Sequence, residues 1–150
     1  MRKFVILVAT VLILNGCSYE PIFSNKKYDF QFNEIETQGD YEINNIIKNN
    51  LKTQSSSSNY FDINFNTRKS KDIVSLNTSG DPAIFKIKIN VDFEIRQNQS
   101  VFLSNNLTRE VTYNNIDDKF ELLKYERNII KSISDNISNE ILMSVVEKYK

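Results

Sequence analysis

The chain is expected to fold as an α+β domain: a two-layer sandwich in which a mainly antiparallel sheet of about four strands carries two helices on one face. Three observations predict it. Phe85, Ile87, Ile89, Val91, Phe93 and Ile95 alternate strictly with Lys86, Lys88, Asn90, Asp92, Glu94 and Arg96, the period-two pattern of a strand with one apolar and one wet face. Such a pattern belongs to an antiparallel sheet, because a parallel sheet covered on both sides reads apolar throughout. Two other segments, 43–51 and 120–149, repeat apolar residues at helical spacing instead.

In chain order, Tyr28, Phe30 and Phe32 alternate with Asp29, Gln31 and Asn33, which predicts a first half-buried strand. Gly39-Asp40 opens a helix. Asp40 caps it, since a carboxylate there accepts from a free amide of the first turn. Ile43, Ile46, Ile47 and Leu51 share one face of that helix. Ser55 to Ser58 reads as a polar loop. Phe61, Ile63 and Phe65 give a second strand, followed by Arg68-Lys69-Ser70-Lys71 and a weak apolar patch at Ile73, Val74 and Leu76. Asn77 to Pro82 is a turn cluster.

The long strand 85–95 comes next, and Gln97 to Ser100 turns the chain. Val101 to Tyr113 returns, with Leu107, Val111 and Tyr113 in phase and a kink or bulge expected at Asn105-Asn106. Asp118 and Glu121 resemble a capping box. They open a last helix of about 30 residues, roughly 45 Å, which could bend or break along its length. Its stripe reads Phe120, Leu123, Ile130, Ile133, Ile137, Ile141, Val145 and Tyr149, and Lys148 and Lys150 complement the dipole at its end. Both helices are expected on the same side of the sheet, which leaves Lys86, Lys88 and Arg96 on the wet side.

The residue inventory narrows the chemistry. Among 150 residues there is no histidine, one cysteine, three glycines and two prolines. Without histidine the commonest general base and metal ligand at neutral pH are missing. One cysteine allows no intramolecular disulfide, and isolated glycines build no phosphate loop. Zinc, haem-type and Cys-His sites are thereby nearly excluded. Asp117-Asp118 is explained by helix capping, and Asp92 and Glu94 alternate on an exposed face. Neither pair has the spacing of a calcium loop. No enzyme and no cofactor are expected.

The N-terminus carries a different signal. Arg2-Lys3, an apolar stretch from Phe4 to Leu14, then Asn15-Gly16-Cys17 describe a secretory signal peptide. Its 11 residues reach only about 16 Å, short of the roughly 30 Å of hydrocarbon a spanning helix must cross. Leu14-Asn15-Gly16-Cys17 looks like a bacterial lipobox. On that reading residues 1–16 are removed and Cys17 carries covalent diacylglycerol and an N-acyl chain. Residues 17–27 are then a lipidated tether and 28–150 a single domain. Loss of Arg2 and Lys3 leaves 17 basic and 19 acidic side chains, a net charge of −2, which is no footprint for nucleic acid.

Cys17-Ser18-Tyr19-Glu20-Pro21-Ile22-Phe23 resembles the mature start of the LPS-assembly lipoprotein (LptE) family, alphaproteobacterial type. Tyr113-Asn114 at the end of the second long strand, and the order of elements, are similar too. The resemblance implies a lipoprotein anchored in the outer membrane that faces the periplasm and the lumen of an outer-membrane LPS-assembly β-barrel. There it would be the barrel's structural partner in the lipopolysaccharide translocon. Ser18 agrees with export to the outer membrane.

Lipopolysaccharide carries phosphates and carboxylates, which lysine and arginine bind well. Arg68, Lys69, Lys71, Lys86, Lys88 and Arg96 are therefore the candidate contacts to lipopolysaccharide or barrel. Lysines on a wet strand face also serve solubility and edge protection, and Asp92 and Glu94 share that face. An accessory lipoprotein of another envelope lipid-transport or secretion system would use the same features.

Overall fold

The computed structural model describes residues 28–52 and 57–149. The signal segment, Cys17, the tether, Ser55 and Ser56 of the polar loop, and Lys150 lie outside the described residues. The elements are β1 (Gln31–Gly39), α1 (Tyr41–Leu51), β2 (Tyr60–Leu76), β3 (Pro82–Gln97), β4 (Ser100–Asn114) and α2 (Lys119–Tyr149). They form an α+β fold with one four-stranded sheet in the order β1-β2-β3-β4.

β2, β3 and β4 are antiparallel neighbours, whereas β1 runs parallel to β2. The parallel pair has a simple cause: α1 carries the chain back along the sheet, so β2 restarts at the end where β1 began. Gln31 lies beside Tyr60, and Gly39 beside Thr67. β1 begins later than the Tyr28–Phe32 alternation suggests and continues to Gly39, with a register shift between Phe32 and Ile35.

At the β1–α1 corner the chain turns under tight constraint. Gly39 has φ +97° and lies against the backbone of Thr67. The amide of Asp40 donates to the Thr67 hydroxyl at 3.0 Å, and that hydroxyl donates to the Asn44 side-chain Oδ1 at 2.7 Å. Asp40 then caps α1 as the sequence predicts, its Oδ1 accepting from the Ile43 amide at 3.1 Å. Lys69 adds an ion pair to Asp40 at 3.0 Å. Partial burial raises the Asp40 pKa, but the Lys69 ammonium and the Ile43 amide outweigh it, so the net shift is downward.

A pH-dependent result follows for this corner. Asp40→Ala is expected to cost about 1–2 kcal/mol, as loss of a cap does. Asp40→Asn keeps the acceptor and recovers most of that, but loses the charge. A depressed carboxylate contributes stability above its unfolded pKa and loses it below. Wild type should therefore exceed Asp40→Asn at neutral pH, and the gap should close as pH falls below about 4. Urea melts at several pH values check it.

The core lies between the helices and one sheet face. Ile43, Ile47 and Leu51 of α1 join Phe61, Ile63, Ile89, Val91, Ile95, Ile137, Ile141 and Val145 in one buried cluster. Each fully buried isoleucine contributes roughly 1.5–3 kcal/mol. α2 runs unbroken for 31 residues. Asp118 opens it, its carboxylate accepting from the amides of Phe120 and Glu121 at 2.8 and 3.1 Å.

Two expectations for this region are corrected. Phe120 and Leu123 are 73% and 55% exposed, and Leu122 and Ile129 are buried in their place. The bulge sits between Ile95 and Arg96, opposite 101–103, because Asn105 and Asn106 pair in register with Phe93 and Asp92.

Ser134 and Ser138 are fully buried where α1 meets α2. Their hydroxyls donate to the carbonyls of Ile130 and Ser134 at 2.8 and 2.7 Å. Their small size admits Asn50, whose amide reaches Asp135 at 2.8 Å.

Candidate functional site

The sheet face away from the helices is polar from edge to edge. Register places Glu36, Asn64, Glu94 and Ser104 in one row across the four strands, and Gln38, Asn66, Asp92 and Asn106 in the next. Sheet twist makes these rows the floor of an open trough of about 740 Å³. Farther along, beyond the end of β1, the rows carry charges of both signs: Arg68–Asn90–Thr108, then Ser70–Lys88–Glu110, then Asp72–Lys86–Thr112.

The six candidate cations divide between the two faces of the sheet. Arg68, Lys86, Lys88 and Arg96 are on the open face. Arg68 pairs with Asp92 at 2.6 Å and donates to Asn90 at 2.6 Å. Arg96 pairs with Glu94 at 2.7 Å, and Lys86 with Glu110 at 3.6 Å. Among the described residues Lys88 has no ion-pair partner; it is exposed beside Arg68, Ser70 and Asn90 around a depression of about 330 Å³. The Asn106 amide and the Arg68 guanidinium hold the Asp92 carboxyl below the ordinary carboxylate range against a desolvation that would raise it.

Lys69 and Lys71 lie on the helix side instead. Alternation along β2 puts them in phase with Phe65 and Thr67, and helix carboxylates meet them. Lys69 reaches Asp40 at 3.0 Å and Glu42 at 3.7 Å. Lys71 reaches Glu126 at 2.6 Å and lies 4.4 Å from the Phe85 ring centroid. Tyr113 donates to the same Glu126 oxygen at 2.8 Å. Burial, and then the Glu126 carboxylate, push the Tyr113 phenol well up. These two lysines are tied to the packing of α1 and α2, and the open face keeps four of the six.

The molecule also has two distinct ends. The end formed by the β2–β3 turn exposes Ile73, Val74 and Leu76 at 53–56%. Asn115 bonds back to Pro82 and Ala83, which brings the start of α2, with Phe120, to the same end. The opposite end holds the start of β1 and β2, the β3–β4 turn and the last turn of α2. Sequence reading saw Ile73, Val74 and Leu76 only as a weak patch and missed their exposure. Their position in an antiparallel pair, Ile73 opposite Phe85 and Leu76 opposite Pro82, is what reveals it.

No protein-family model and no curated protein matches the chain. Among solved structures the fold is similar to rare lipoprotein B from Shewanella oneidensis, with a TM-score of 0.58 at 12% identity over 78% of this chain and 96% of that one. A minor lipoprotein from Acinetobacter baumannii gives 0.49 at 12% identity, covering 74% and 91%. Lipoprotein B from Nitrosomonas europaea gives 0.49 at 15% identity, covering 79% and 85%. At these identities the likeness is one of fold. The fold of this domain is thus shared with a bacterial lipoprotein.

Chemically the open face can accept and donate hydrogen bonds over a long, shallow surface. Among the described residues no three carboxylates or other ligands lie together as a metal cluster. No described helix is long and apolar enough to cross a membrane.

Proposed function

We propose that the protein is an outer-membrane lipoprotein acylated at Cys17. In this reading it is the structural partner and plug of a β-barrel in the lipopolysaccharide translocon and assists lipopolysaccharide assembly; it is not an enzyme. The observation that carries the reading is the pairing of a lipobox-like start, Leu14 to Cys17, with a domain that has the fold of rare lipoprotein B. Shape supports it. β2 has 17 residues and is roughly 50 Å long, while four strands span only about 15 Å. A domain of those proportions would enter a barrel with its long axis along the barrel's own and is long enough to span the roughly 40–45 Å of a membrane. The polar open face suits a polar lumen.

Mild detergent extraction of the native membrane tests it. The chain is expected to co-purify with a very large outer-membrane barrel, and clean recovery of the lipoprotein alone would sink the proposal. Unaltered surface lipopolysaccharide after depletion would favour an accessory role in another envelope system.

Direct contact with lipopolysaccharide is assigned to Arg68, Lys86 and Lys88 in the rows of the open face beyond β1. Lys88→Glu reverses the one open-face cation that has no ion-pair partner among the described residues. It is expected to weaken capture of the lipoprotein on immobilised lipopolysaccharide and, because it sets a glutamate opposite Glu110, to cost up to about 1 kcal/mol of stability without unfolding the domain. Unchanged capture would remove Lys88 from the contact.

A further inference from the structure

The end of the domain from which the N-terminal segment leaves is built of rings. Phe61 lies 5.8 Å from Phe30, 4.9 Å from Phe102 and 5.9 Å from Tyr149, centroid to centroid, and Tyr28 lies 5.5 Å from Phe30. Phe30 and Phe61 are buried, but Tyr60, Val101 and Tyr149 face outward at 54%, 58% and 42% exposure. Register holds the first two at this end: Tyr60 begins β2, and Val101 lies opposite Arg96 beside the β3–β4 turn. Tyr149 arrives there from the far end of α2.

We propose that before the domain enters a barrel this end, with Tyr60 and Val101 exposed at the strand ends and Tyr149 against Phe61 on the helix side, rests in the headgroup region of the bilayer that holds acylated Cys17, and so sets the orientation of the domain. The inference relies on the acylation reading above and adds the surface that meets the lipid. Tyr28 follows Cys17 by 11 residues, a stretch of at most about 40 Å even when fully extended. The ring cluster is therefore the part of the domain closest to the anchor along the chain. Tyrosine is enriched at membrane–water interfaces because it has an apolar ring and a polar tip.

Three side chains would hold a free domain weakly. A short tether, however, converts their binding into an intramolecular step at high effective concentration. The contact is assigned to the rings and not to charge. Arg96 is paired with Glu94, and Lys148 donates to the carbonyl of Phe102. Docking is accordingly expected to survive high salt, since exposed ionic attraction would be screened.

The chain contains no tryptophan, so a single introduced indole reports its own depth. Tyr60→Trp, Val101→Trp and, at the other end, Leu76→Trp are made in the full chain. Each is purified from the membrane as processed lipoprotein and reconstituted into phosphatidylethanolamine–phosphatidylglycerol vesicles. The vesicles are doped with phosphatidylcholine brominated close to the headgroup. Indoles at 60 and 101 are expected to shift to the blue and lose fluorescence to the brominated lipid, in low and high salt alike, while the indole at 76 does neither. Quenching at 76 equal to that at 60, or no quenching at 60 and 101 in chains that float with the vesicles, overturns the proposal. The intact mass separates the two readings. Acylated Cys17 without quenching rejects only the docking surface, whereas an unmodified Cys17 rejects the anchor and this inference with it.

Discussion

Gly39→Ala is expected to destabilise the domain by more than about 3 kcal/mol. Two costs add. The backbone at Gly39 has φ +97°, which L side chains rarely adopt, and an added Cβ would lie 1.9 Å from the carbonyl oxygen of Thr67. That oxygen belongs to the backbone of a central strand, so it cannot swing aside as a flexible side chain would. Relieving the clash means separating β1 from β2, which also pulls the Asp40 amide from the Thr67 hydroxyl. Gly80 supplies the control. It has φ +87° in the β2–β3 turn but nothing within 4 Å of an added Cβ. Gly80→Ala should cost only the backbone preference, about 1–2 kcal/mol. Equilibrium urea unfolding of both variants gives the comparison, and equal losses would mean that the contact with Thr67 contributes nothing.

Cys17→Ser is expected to abolish attachment of the domain to the outer membrane. In the proposed lipoprotein three acyl chains depend on one sulfur and on the amine that processing frees beside it. At about 0.8 kcal/mol per buried methylene, a single chain holds a protein reversibly, while two or more hold it stably. Serine offers no thioether, so none of the chains is added. Labelled palmitate should enter the wild-type chain and not the variant, and the variant should be missing from the outer-membrane fraction. The urea midpoint of the domain should be unchanged, which separates loss of the anchor from loss of the fold. Label in the variant, or no label in the wild-type chain, would refute acylation at Cys17.

What could be read locally was read well. Asp40 and Asp118 were identifiable as caps because a cap needs only a short side chain and the amides that follow it. β3 was identifiable because its alternation is complete over 85–95. β2 was harder. Past Thr67 its helix-side positions hold Lys69 and Lys71, so the apolar alternation that marks Phe61, Ile63 and Phe65 ends although the strand continues to Leu76. Pairing with β3 sustains it. In α2, helical spacing allowed both a stripe through Phe120 and Leu123 and one through Leu122 and Ile129. Contact with the sheet buries the second and leaves the first exposed.

The candidate cations show the same division. Their identity was visible, but Arg68 and Lys69 are chain neighbours, and a strand sends them to opposite faces. One joins the open face beside Asp92, and the other meets the helix carboxylates of Asp40 and Glu42.

The sequence by itself determined the α+β class, the two capped helices, the alternating strand and a charge inventory without histidine. All of these are short-range properties, set by backbone periodicity and side-chain type. Only the tertiary structure decided that β1 runs parallel to β2, which lysines face the helices, and which ends of the molecule expose rings or aliphatic groups. Those outcomes depend on register between segments far apart in the chain, where a shift of one residue exchanges the two faces of a strand.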